Sequence, residues 1–152
     1  FHYEDLLRLP MIVRQPGTVP AGVTSDALQS LVDYPQTFLA AAGIDAPGNM
    51  QGINQLAVWQ GKTDAARDWA LVENRHNPTT VHLRTLVTER YKLTVYRNAD
   101  YGELFDLETD PGELHNRWHD PAYAAVKSEL LLKFVQAEIQ REGTRMPRIA
   151  GA

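Results

Sequence analysis

The spacing of apolar residues changes twice along this chain, and each change restricts the folds open to it. From Asp26, the positions Leu28, Leu31, Val32, Phe38, Leu39 and Ala42 recur every three or four residues as far as Gly43, which is the period of an amphipathic helix. Ser25 or Asp26 is placed to cap that helix and Gly43 to stop it. Pro35 removes a backbone donor inside it, so a kink or a break into two short helices is expected near Asp33. Residues 61–68 are polar and read as a boundary, and beyond them the period becomes two. Residues 69–73, then Leu83, Thr85 and Val87, then Tyr91, Leu93 and Val95 are expected on one face, with His82, Arg84, Lys92 and Thr94 on the other. Such alternation predicts antiparallel strands with one wet face.

A short hairpin at Glu89-Arg90 joins two of these strands without the Asn-Gly chemistry of a tight primed turn. A second turn follows at 98–102 and a further strand at 103–107. Asp110-Pro111-Gly112 is turn chemistry again. Asp120-Pro121 then places a capping carboxylate before a proline at the first helical position, a start signal whose cap alone stabilises by about 1 kcal/mol. Tyr123, Val126, Leu130, Phe134 and Ala137 form one stripe, widened by Leu131, Val135 and Ile139, which should lie against the sheet until Gly143 ends the helix. Residues 145–152 read as an extended tail. Near the start, Pro10-Met11-Ile12-Val13-Arg14 fits a brief buried strand, 18–24 and 45–54 fit loops, and 55–60 fits a helical turn.

Composition narrows the function classes. An apolar share of 43% fills a core and argues against disorder. Fifteen Lys and Arg against nineteen Asp and Glu give a net charge of −4 with no dense basic cluster, so no nucleic-acid partner is expected. No apolar run approaches the roughly 20 residues of a membrane-spanning helix, and no membrane insertion is expected. There is no cysteine, which removes disulfides, thiolate metal sites and a thiol nucleophile, and leaves the compartment open. The first residue is Phe1 and not Met, and the chain is expected to be cut from a longer protein.

Constellations that could carry chemistry are sparse. His115 and His119 are four apart, a zinc spacing, but they precede the helix started at Asp120-Pro121, and a solvated loop is the expected reading. Asp106, Glu108, Asp110 and Glu113 alternate like a calcium loop, yet Pro111 stands where that loop needs glycine and Arg117 where it needs a bidentate Glu. Ser25 and Ser30 have no histidine or carboxylate partner pattern, and no glycine-flanked serine elbow or phosphate loop is present. Glu73, Asn74, Arg75 and His76 gather polar groups at a predicted strand end, a position suited to substrate recognition, although strand ends are also polar simply through contact with solvent.

Several stretches taken in order resemble the C-terminal part of sulfatases of the alkaline-phosphatase-like superfamily. Tyr3-Glu4 followed by Leu7-Arg8-Leu9-Pro10-Met11-Ile12-Val13 is similar to that family's "YE…LRVPLIV" run. LVDYPQTFLAAAGI at 31–44 resembles its "DlaPTlLdlaGi" segment, with Gln36 as an insertion. MQG at 50–52, RTLVTERYKLTVY at 84–96, GELFDLETDPGELHN at 102–116 and DPAYAAVKSELL at 120–131 complete the set. The resemblance implies an α/β fold: 1–60 as the end of a large α/β domain, and 61–152 as a C-terminal subdomain of antiparallel strands packed by the last helix.

The family's chemistry is sulfate-ester hydrolysis. The resemblance implies for the parent enzyme a formylglycine made from a "CxPSR" motif, and a calcium or magnesium ion held by aspartates. Both would lie upstream of Phe1, as would a catalytic lysine a few residues before Tyr3-Glu4. This chain is therefore expected to hold no catalytic residue, metal or cofactor, to be inactive alone, and to need the missing N-terminal part as its partner. His2, Glu73, Arg75 and His76 are the candidates for contact with a sulfate-ester substrate. A phosphate or phosphonate ester hydrolase of the same superfamily is the neighbouring reading, and a non-catalytic carbohydrate-binding module is the reading from another class.

Overall fold

The computed structural model describes residues 2–76 and 81–142, with His76 described by its backbone only. The order of elements is α1 (Glu4–Leu7), α2 (Asp33–Ala41), α3 (Leu56–Trp59), β1 (Ala70–His76), β2 (Val81–Val87), β3 (Tyr91–Tyr96), β4 (Gly102–Asp106), a 3-10 turn (Pro121–Tyr123) and α4 (Ala124–Arg141). The strands form one antiparallel meander in the order β1-β2-β3-β4. Helix α4 packs across it. Leu86, Leu93 and Leu104, directly opposite one another on three strands, meet Leu130, Phe134 and Ala137 of α4. Each fully buried leucine contributes about 2 kcal/mol through the apolar area it removes from water. Asp120 accepts a hydrogen bond from the Ala122 amide and starts this helical stretch as expected.

The hairpin register departs from the expected face assignment. Thr88 closes the turn, its N–H donating to the Tyr91 carbonyl at 2.8 Å while its hydroxyl accepts from the Tyr91 amide at 2.9 Å. That closure sets Val87 opposite Lys92, Thr85 opposite Thr94 and Leu83 opposite Tyr96. Lys92 and Thr94 therefore share a face with Leu83, Thr85 and Val87, while Leu93 and Val95 share the α4 face with Arg84 and Leu86. A shift of one residue in register exchanges faces for a whole strand. The face expected to be wet is covered: Thr85, Lys92 and Thr94 are at most 1% exposed, because the N-terminal segment lies over them.

Three further expectations fail. Residues 10–14 are not a strand, and Ile12 is 95% exposed; no strand among the described residues runs beside them to take up their backbone groups. The helix expected from Asp26 begins only at Asp33. Ser25 closes a local turn by accepting from the Ala27 amide, and Pro35 falls in the first turn of α2, where its missing N–H has no intrahelical acceptor to lose. Gly43 stops α2 at φ +71°, with Gly43 donating to Ala40 and Ile44 to Leu39, a Schellman pattern. Finally, Leu131 packs on the core but Val135 and Ile139 face outward, since the sheet covers only one side of α4. The expected helix end at Gly143 and the tail at 145–152 lie outside the described residues.

Candidate functional site

The first candidate, His2, is 5% exposed and sits on the sheet face opposite α4. Its Nδ1 is 2.7 Å from Thr85 Oγ1, which is 2.7 Å from Thr94 Oγ1. Burial, aided by the positive charge of Lys92, lowers the His2 pKa from its ordinary value, which favours the neutral ring at pH 7. Beside it, Lys92 Nζ donates to the His2 carbonyl at 2.9 Å and pairs with Glu4 Oε1 and Glu113 Oε1, each at 2.7 Å. Glu113 Oε2 in turn accepts from the Glu4 amide at 2.6 Å. One carbonyl and two carboxylates surround this ammonium, the compensation that lets a lysine 1% exposed be tolerated. Glu113 reaches this position from a left-handed backbone, φ +54°, held where Asp110 accepts from the Leu114 and His115 amides. The whole arrangement clamps 2–4 onto β3. Sequence reading placed Lys92 on a solvated face and missed it; a lone cation inside an apolar strand, YKLTVY, was the available signal.

The second group forms on the α4 face of the sheet. Glu73 accepts from Arg84 (3.4 Å) and Arg141 (2.9 Å) and pairs in charge with Arg75 at 3.0 Å, whose Nε–H donates to His82 Nε2 at 3.3 Å; that His82 nitrogen lies 3.8 Å from Glu73. Glu138 of α4 holds Arg84 at 2.7 Å and Arg141 at 2.9 Å. Hydrogen bonding from Arg141, with the charge of Arg84, lowers the Glu73 pKa. Three guanidiniums face two carboxylates, leaving one excess positive charge at the edge strand, and Arg75 is the most exposed of them at 60%. The structure thus joins Glu73 to Arg75 and separates both from His2, which lies on the other face. Asn74 lies opposite Leu83 and not within this group. His76 pairs with Val81 through the backbone; its side chain lies outside the described residues.

Two further buried carboxylates, Asp33 and Asp106, are already engaged. Asp33, fully buried, accepts from the Ser30 and Ile53 amides, Gln55 Nε2 and Arg67, and so ties α2 to the segments on either side of α3. Asp106 accepts from Arg90 at 2.9 and 2.8 Å and from the Tyr123 hydroxyl at 3.1 Å. Those bonds, led by that from Arg90, lower its pKa to about 2. The run from Asp106 to Glu113 is therefore a turn of structural carboxylates and not a calcium loop. His115 is an exposed neighbour of Asp110 at 3.6 Å and His119 is exposed. A divalent cation needs several free oxygen ligands converging on one point. The buried carboxylates of this chain are spent on arginine, lysine and backbone N–H groups, and do not fit such an ion. Among the described residues no three His, Asp or Glu side chains converge as a metal site, and no helix is long and apolar enough to cross a membrane.

A meander sheet packed by a C-terminal helix, preceded by short helices and clamped by its N-terminal segment, is the C-terminal region of an alkaline-phosphatase-like α/β fold. It superposes with a TM-score of 0.80 on a solved structure in complex with its substrate D-glucosamine-2-N,6-O-disulfate, at 26% identity, covering 88% of this chain and 28% of that one. A phosphonate monoester hydrolase from Silicibacter pomeroyi shares the fold with a TM-score of 0.73 at 22% identity, covering 86% and 29%. The chain belongs to the sulfatase family described as N-sulphoglucosamine sulphohydrolase, C-terminal, which matches residues 1–140. It is 31% identical over 138 residues to the N-acetylglucosamine-6-O-sulfatase of Bacteroides thetaiotaomicron, covering 86% of this chain and 25% of the relative. Human arylsulfatase K is 31% identical over 126 residues, covering 75% and 23%. The chain spans about a quarter to a third of the length of the curated relatives it matches first.

Proposed function

We propose that this chain works as the C-terminal part of a sulfatase, and that the whole protein hydrolyses a sulfate ester of a sugar. The observation that carries this reading is the family match over residues 1–140, in a chain whose sulfatase relatives extend well beyond the matched region. In this reading 1–60 complete the large α/β domain and 61–152 form the C-terminal subdomain. The formylglycine and the calcium or magnesium ion belong to the rest of the enzyme, and this chain alone releases no sulfate. His2 acts as a positioning residue, since its ring is buried against Thr85 while the backbone it belongs to is held by Lys92. Arg75, exposed and attached to an arginine-rich cluster, contacts the anionic substrate at the mouth, with Glu73 orienting it and His76 beside it on the same strand end.

The test uses the full-length protein with 4-nitrophenyl sulfate, glucosamine 6-sulfate and a phosphonate monoester. Release of sulfate with a higher kcat/KM than phosphonate hydrolysis is expected. Arg75→Ala should raise KM for the sulfated sugar with little change in kcat, the signature of lost ground-state binding. Preference for the phosphonate ester overturns the substrate class, and the absence of any ester hydrolysis favours the binding-module reading.

A further inference from the structure

We draw no further inference here: the strongest candidate, the exposed apolar stripe of Leu132, Val135 and Ile139 on the side of α4 turned away from the sheet, is an unpartnered helix face, and nothing in the structure shows what covers it.

Discussion

Lys92 shows how one side chain can organise a surface that the rest of its strand does not explain. An ammonium taken from water costs several kcal/mol unless its charge is compensated, and here the partners come from residues 90 positions away (His2), 88 away (Glu4) and 21 away (Glu113) by the numbering. Lys92→Met leaves two carboxylates facing each other without a cation. It should destabilise the full-length protein by about 3–5 kcal/mol, as breaking buried pairs does. Adding Glu113→Gln should recover part of that loss, because the orphaned charge disappears. Denaturant unfolding of the two single variants and the double variant measures the coupling; strict additivity would show that Lys92 and Glu113 are not a unit. Glu73 is a contrasting case, since its partners are partly exposed and each pair there contributes far less.

At the scale of elements, the meander is held by how closely β4 and the loop after it approach. Asn116 accepts from the Leu104 amide and donates to the Gly102 carbonyl, drawing Trp118 over the start of β4. A Cβ at Gly102 would stand 2.5 Å from the Trp118 ring and against the Thr94 carbonyl of β3. Gly102→Ala should therefore destabilise by about 1–3 kcal/mol, the usual cost of overpacking. Thermal unfolding checks this, and a neutral result would mean that both Trp118 and the β3 backbone at Thr94 give way freely. The strands themselves were readable from their period-two pattern, and α4 from its stripe and its Asp120-Pro121 start. The faces were not readable, because alternation within a strand says nothing about its register against the next; the Thr88–Tyr91 closure decided that. Likewise Glu73 and Arg75 were readable together on one strand, while Arg141, which donates to Glu73, and Glu138, which holds Arg84 and Arg141, come from α4 and could not be inferred from local spacing.

For the whole molecule, the downward shifts at His2 and Asp106 set the acid side of a pH profile. Burial and Lys92 lower the folded pKa of His2 below 6.5, so below that value the unfolded chain binds the extra proton and stability falls as pH falls. Asp106 has its pKa lowered from 3.8 to about 2; its contribution is complete above the unfolded value and is lost as pH drops through the folded one. Stability of the full-length protein should decline as pH falls below 6.5 and decline again below 3.8. In His2→Gln the first decline should shrink. Thermal midpoints across this range measure it, and an unchanged upper slope in the variant would show that His2 does not carry the effect.

The sequence by itself determined the α/β character, the strand pair and closing helix, the ordered motifs that mark a sulfatase C-terminal region, and the want of cysteine chemistry. All of these are written in local spacing or in residue identity. Only the tertiary structure decided that 10–14 lies open, that the face expected to be wet is covered, that His2 and Lys92 lock together, and that Asp33 joins α2 to Arg67. Each of those depends on residues distant in sequence meeting in space, and burial and charge pairing are properties of that meeting, not of either residue alone.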